Sequence, residues 1–298
     1  MQRFLAGLLL CAFNVYAIAA YAIAPLADVA LIGDNHRPRI AVDINGHRGV
    51  QCILDTGATV GVIGRDLADG AQRVGESQVT TANGVYAMPL LRIGDVVIGG
   101  ARASDVEFVQ RDASWFGHGG TAPCILGMSF ARQFTIDLDG HARRLRLYPA
   151  GTGTDAILNR TQRGASIKAS FDKDVIETDA IVNRTRTKAR IDTGWGFVTP
   201  NSALLDRLGY RKNDARYFTK DLQQSDSGRM VTVRMTTLQT VQLGNVRASN
   251  VLSDADPDRE AASIVGRRTD PYLQIGWPLL SDHRFIFDVS TRRAAFVP

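Results

Sequence analysis

The sequence predicts an all-β protein with a few short helices, assembled from two similar halves. Three observations carry this expectation. Most apolar segments are short and rich in Val, Ile and Thr, Gly or Asn separates them at turns, and one block of motifs occurs twice in the same order. A chain of 298 residues, 45% apolar and 22% charged, has the make-up of a globular protein able to bury a sizeable core, which excludes a disordered chain. The net charge of +5 comes from Lys and Arg spread along the chain without a basic run, so it reads as solvated surface and not as a nucleic-acid footprint.

The N-terminus stands apart. Met1-Gln2-Arg3 places a positive charge ahead of Phe4 to Ala27, an apolar stretch interrupted only by Asn14. Residues 1–27 are therefore expected to be an export signal or an N-terminal membrane anchor. Ala17-Ile18-Ala19 and Ala20-Tyr21-Ala22 offer small residues for cleavage, and the run is long enough to be retained. An exported protein, periplasmic or anchored to the inner membrane by this segment, follows in either case. Leu10 precedes Cys11 where a lipoprotein signal requires a small residue, which argues against lipidation.

The first copy of the repeat is Ile53-Leu54-Asp55-Thr56-Gly57-Ala58-Thr59-Val60-Gly61-Val62-Ile63, and its counterpart is Arg190-Ile191-Asp192-Thr193-Gly194-Trp195-Gly196-Phe197-Val198-Thr199. Further on, the stretch from Cys124-Ile125-Leu126-Gly127 to Asp137 matches that from Leu273-Gln274-Ile275-Gly276 to Asp288. Each half then reads as a strand, an Asp-Thr-Gly turn, a short helical stretch, a hairpin, a polar loop, an apolar strand ending in Gly, and a closing hairpin. Ser202 to Leu208 is the clearest helix, starting on a plausible cap at Ser202 and stopping before Gly209. Small and turn-forming residues at Pro149-Ala150-Gly151-Thr152-Gly153-Thr154 mark the connection, giving expected lobes at 34–150 and 151–298.

Asp-Thr-Gly offers specific chemistry. Apolar residues before Asp55 and Asp192 predict strands that deliver each carboxylate where the chain leaves the core. Gly57 and Gly194 permit a tight turn that brings backbone N–H groups to the carboxylate. Thr56 and Thr193 add hydroxyls able to bond the opposing turn. Two such turns related by a pseudo-twofold axis would bring the aspartates face to face, where like charges cannot both ionise and one proton is shared. The ionised member can then take a proton from water while the protonated member donates to a scissile carbonyl.

Asp55-Thr56-Gly57-Ala58 resembles the signature of pepsin- and retropepsin-type aspartic peptidases, and Ile125-Leu126-Gly127 and Gln274-Ile275-Gly276 are similar to that family's second motif. The resemblance runs from about Ile40 to the C-terminus and is closest in style to bacterial periplasmic retropepsin-like proteases with two fused halves. It implies a bilobal acid-protease fold of two retropepsin-like β-barrel halves, no cofactor, no metal, and a cleft for an extended polypeptide. The implied substrate is an exported or membrane-bound protein, and one chain suffices for activity.

Asn83-Gly84 between two strand-like runs predicts a tight hairpin. In the family such a hairpin covers the substrate, which makes Asn83, Gly84 and Tyr86 candidate substrate-binding residues. Ser225-Asp226-Ser227-Gly228-Arg229 occupies the corresponding place in the second half, where an ordinary surface hairpin is the better expectation. Trp195 stands where a small residue usually follows the Gly and is a further candidate for the cleft, and Arg190 is a second departure, a charged residue near the core strand before Asp192. Cys52 and Cys124 each lie three residues before a motif position and are expected either to bridge or to remain buried thiols.

Other patterns carry less. Gly127-Met128-Ser129-Phe130-Ala131 lacks the last Gly of a serine-hydrolase elbow, Gly117-His118-Gly119-Gly120 is not followed by the Lys of a phosphate loop, and His36, His47, His118, His141 and His283 show no metal-ligand spacing. The alternative to an aspartic endopeptidase is a catalytically inactive relative that binds peptides or serves as a cell-envelope scaffold.

Overall fold

Burial alternates along Arg39–Ile44, with Ile40, Val42 and Ile44 inside and Ala41 and Asp43 outside, and again along Val175–Val182, with Ile176, Thr178, Ala180 and Val182 inside. A period of two marks strands with one face on a core, and such strands make up most of the protein, as the sequence predicts. The computed structural model describes residues 23–33, 37–81, 84–112, 123–158, 166–172, 175–223, 230–256 and 268–298. Most of the apolar N-terminal run, Asn83, the 117–120 stretch and the 225–229 stretch lie outside them. Among the described residues, no helix is long and apolar enough to cross a membrane.

The chain opens with β1 (Ala27–Ala30), β2 (Arg39–Ile44), β3 (His47–Leu54) and β4 (Gly61–Gly64). A long hairpin follows, β5 (Gln72–Thr81) and β6 (Gly84–Ile93), then β7 (Val96–Ile98), β8 (Ala101–Ala103), β9 (Val106–Arg111) and β10 (Cys124–Leu126). The short helix α1 (Met128–Ala131) leads to the hairpin β11 (Phe134–Asp139) and β12 (Arg144–Pro149), and α2 (Thr154–Ile157) follows the turn-rich connection. Next come β13 (Ser166–Ile167), β14 (Ala169–Asp172), β15 (Val175–Val182), β16 (Thr185–Ile191), β17 (Val198–Pro200) and helix α3 (Ser202–Arg207). The chain ends with β18 (Phe218–Gln223), β19 (Met230–Leu243), β20 (Val246–Asp254), β21 (Tyr272–Ile275), helix α4 (Trp277–Leu280), β22 (Arg284–Asp288) and β23 (Arg293–Val297).

Helix α3 follows the sequence expectation with one change: its cap is Asn201, whose side chain accepts from the Leu204 N–H and frees Ser202 to begin the helix. The equivalent place after β4 holds only a 3-10 turn, Arg65–Leu67. Ala27, the last residue of the N-terminal apolar stretch, is buried in β1 and pairs with Leu147.

Among the described residues the strands form three sheets. A nine-stranded sheet has the order β5-β6-β9-β4-β10-β3-β2-β7-β8, and an eight-stranded sheet the order β14-β15-β16-β21-β17-β20-β19-β18. Beneath both, a six-stranded sheet runs β1-β12-β11-β22-β23-β13, so the two hairpins that close the repeated blocks sit side by side. One apolar core runs through all three sheets, from Ile40 and Phe108 through Leu138 and Leu147 to Phe287 and Ile275. At the β11–β22 seam Arg284 donates to both carboxylate oxygens of fully buried Asp137, at 2.7 and 2.8 Å. Asp288, equally buried, accepts from Thr135 Oγ1 and from the Gly151 and Gly153 N–H groups, which pins the connection between the repeated blocks to the base sheet.

Candidate active site

Asp55 and Asp192 emerge at the ends of equivalent strands. β3 runs parallel to β10 with Leu54 beside Leu126, and β16 runs parallel to β21 with Ile191 beside Ile275. The Asp55 N–H then donates to the Leu126 carbonyl and the Asp192 N–H to the Ile275 carbonyl, both at 2.9 Å. After β10 and β21 the chain passes under the turns at Gly127 and Gly276. A Cβ on Gly127 would lie 2.5 Å from the Val60 carbonyl oxygen, and one on Gly276 2.2 Å from that of Phe197. These contacts are closer than any side chain tolerates, which explains why both motifs end in Gly.

Two reciprocal sets of hydrogen bonds join the turns. Thr56 Oγ1 donates to the Ile191 carbonyl at 2.9 Å and accepts from the Thr193 N–H at 3.1 Å. Thr193 Oγ1 donates to the Leu54 carbonyl at 2.7 Å and accepts from the Thr56 N–H at 3.0 Å. Both threonines are buried, so each bond replaces water that cannot enter. The glycines are reciprocal as well. A Cβ on Gly57 would fall 2.2 Å from the Asp192 carboxylate and one on Gly194 2.2 Å from the Asp55 carboxylate. Neither glycine has a left-handed φ. The turn itself therefore does not demand Gly here, contrary to the local reading of the sequence; the carboxylate of the opposite turn does.

Asp55, Thr56, Gly57, Asp192, Thr193 and Gly194 thus converge at one place. The Gly57 N–H donates to Asp55 Oδ1 at 2.7 Å. Burial pushes the Asp192 carboxyl up to about 8, and the Asp55 carboxylate beside it pushes the same way; Arg190 and Arg37 act against both. Asp192 consequently keeps its proton into the neutral range.

Ala58 and Trp195 occupy matching backbone positions despite their different side chains: the Met128 N–H donates to the Ala58 carbonyl and the Trp277 N–H to the Trp195 carbonyl, each at 2.8 Å. The Trp195 side chain leaves this geometry intact because its Nε1–H is turned to Thr199 Oγ1, 2.9 Å away. Gly84 opens β6 opposite Thr81, and exposed Tyr86 stands two residues on with the Arg111 guanidinium 5.2 Å over its ring. Strands β18 and β19 form a hairpin at the corresponding place in the other sheet. Cys52 and Cys124 are cross-strand partners in the β3–β10 register, with Cα atoms 4.7 Å apart, and form a disulfide. Among the described residues, no cluster of His, Cys, Asp and Glu is suited to a metal ion.

Two residues beside the aspartates lie within the repeated motifs, which give them no role. Gln274 donates from Nε2 to Asp192 Oδ2 at 2.7 Å, and Arg190 donates from Nη2 to the Gly57 carbonyl of the other turn. The available signal is a charged residue two positions before Asp192 in a strand whose counterpart is apolar.

A comparison with curated proteins finds no match for this chain. Residues 40–130, which hold the first Asp-Thr-Gly turn, the β5–β6 hairpin and the Gly127 motif, match the family model described as Aspartyl protease, so this stretch of the chain is similar to that family.

Proposed function

We propose that the protein is an aspartic-type endopeptidase that cuts an extended polypeptide bound above the two turns. The observation that carries this reading is the reciprocal lock, in which each Asp-Thr-Gly turn holds the other through its threonine and seats the other's carboxylate against its glycine. A water between Asp55 and Asp192 loses a proton to the ionised member of the pair and attacks the scissile carbonyl carbon, while the protonated member gives its proton to the carbonyl oxygen. Collapse of the resulting diol expels the amine: the protonated member gives its proton to the leaving nitrogen while a diol hydroxyl passes its own proton to the other member, so the dyad again holds one proton. The two apparent pKa values belong to the pair.

Tyr86 on the β5–β6 hairpin and Trp195 beside the second turn are proposed to face the bound chain. The apolar N-terminal run supports an exported location, periplasmic or anchored to the inner membrane, with an exported or membrane-bound protein as substrate. One chain carries both turns, so a monomer suffices.

Incubating the purified protein with a denatured protein substrate from acidic to neutral pH tests this. Asp55→Asn and Asp192→Asn should each lower cleavage by about 10³-fold or more. Cleavage that survives either substitution would sink the shared mechanism, and an inert wild type that still binds peptide would establish the binding-only alternative.

A further inference from the structure

The two carboxylates rest on different floors. Two residues before Asp55, the row across the nine-stranded sheet reads Ile53, Ile125 and Val62 in register. Two residues before Asp192, the row across the eight-stranded sheet reads Arg190, Gln274 and Thr199. Residues i and i+2 of a strand share a face, so Arg190 lies on the side of the sheet that carries Asp192.

Arg190 is only 2% exposed and Gln274 only 4%. A side chain so enclosed does not reach a bound polypeptide, and it acts through its neighbours. Arg190 reaches across to the Gly57 carbonyl, and Gln274 holds Asp192 Oδ2. Among the described residues, buried Arg190 Nε and Gln274 Oε1 have no hydrogen-bond partner. A buried guanidinium costs several kcal/mol unless negative charge offsets it. Among the described residues, the charged groups that act most strongly on Asp192 are Asp55 from the end of β3, Arg190 on β16 and Arg37 ahead of β2. Glu177, next to Arg190 across β15–β16, is already engaged by the Tyr272 hydroxyl and by Arg268. Among the described residues, the anion left to answer Arg190 is the aspartate pair.

We propose that Arg190, backed by Gln274, is a positioning residue that clamps the Gly57 turn against Asp192 and serves as the buried countercharge of the dyad, thereby setting the pH range in which the pair holds one proton. This rests on the reading of Asp55 and Asp192 as a single titrating pair. A cation next to a carboxyl lowers its titration by about 1–3 pH units, so removing it moves both proton losses of the pair toward higher pH.

The test uses the full chain and two readouts: carbon NMR titration of aspartate-labelled protein, with Asp55→Asn and Asp192→Asn assigning the signals, and kcat/KM against pH on a denatured protein. The double variant Arg190→Ile/Gln274→Ile installs the kind of apolar pair that Ile53 and Ile125 form. Its dyad midpoints and both limbs of the pH profile should rise by about one unit or more. Arg190→Lys, which keeps the charge and loses the fork, should leave the midpoints within about half a unit and lower kcat. If the double variant does not fold, Arg190→Gln removes the charge while retaining a donor and must show the same rise. Unmoved midpoints in a folded, charge-free variant overturn the proposal. A wild type that cleaves nothing, with midpoints that still rise on charge removal, would overturn the peptidase reading and leave this one standing.

Discussion

The nine-stranded and eight-stranded sheets present the same turn on different foundations. Asp55 and Asp192, Thr56 and Thr193, and Gly57 and Gly194 make matching contacts. One row lower the resemblance ends. Cys52 and Cys124 are joined by a disulfide, whereas the residues in their register positions in the other sheet are Ala189 and Leu273, which simply pack. The positions of Ile53 and Ile125 in the one sheet are held by Arg190 and Gln274 in the other. The turns are held by main-chain acceptors, threonine hydroxyls and glycine approaches that reach across the molecule. The strands beneath are consequently free to differ, one stiffened by a covalent tie and the other given a charge.

The largest test of this contrast is the disulfide. It closes a span of 72 residues, so the Cys52→Ala/Cys124→Ala variant should lose about 4 kcal/mol in denaturant unfolding. Hydrogen exchange should locate the added opening in the nine-stranded sheet; equal loosening of both sheets would break the comparison. The glycines should behave alike instead. Gly57→Ala and Gly194→Ala each drive a methyl into the opposite carboxylate and should each cost about 3 kcal/mol, with loss of cleavage. A marked difference between them would show that the lock is one-sided.

A pH-dependent effect, up to about 1.4 kcal/mol for each pH unit, comes from Asp192, whose carboxyl holds its proton in the folded protein up to about 8. An unfolded chain releases that proton near 4. Below that value both states are protonated and pH has no influence through this group. Above it the folded state binds a proton that the unfolded state has lost, so wild-type stability falls as pH rises toward 8, by as much as about 1.4 kcal/mol per unit. Asp192→Asn lacks this dependence, and its thermal midpoint relative to wild type should climb across the same range. A constant difference would mean that Asp192 is already ionised.

Both Asp-Thr-Gly turns, both Gly motifs and the β5–β6 hairpin were legible in the sequence because each depends on local chemistry: an apolar strand, a turn residue, an Asn-Gly pair. What the turn glycines are for was not legible, since the atom that forbids a side chain at Gly57 belongs to Asp192, far along the chain. The state of Cys52 and Cys124 stayed open for the same reason, being decided by the parallel register of β3 and β10. Arg190 was visible as a break in an apolar strand, but its reach to Gly57 required the turns to be brought together. Even the helix cap moved by one residue, because Asn201 serves Leu204 and the incoming Tyr272 N–H at once.

The six-stranded sheet limits how the molecule can move. Its central pairing, β11 with β22, joins the two closing hairpins through registers running from Thr135–Asp288 to Asp139–Arg284, with the buried Asp137–Arg284 contact in its midst. Prising the two upper sheets apart would shear that seam and expose a buried ion pair. The base therefore opposes a hinge between the upper sheets, and under the proposed peptidase reading room for a bound chain would come from the hairpins β5–β6 and β18–β19.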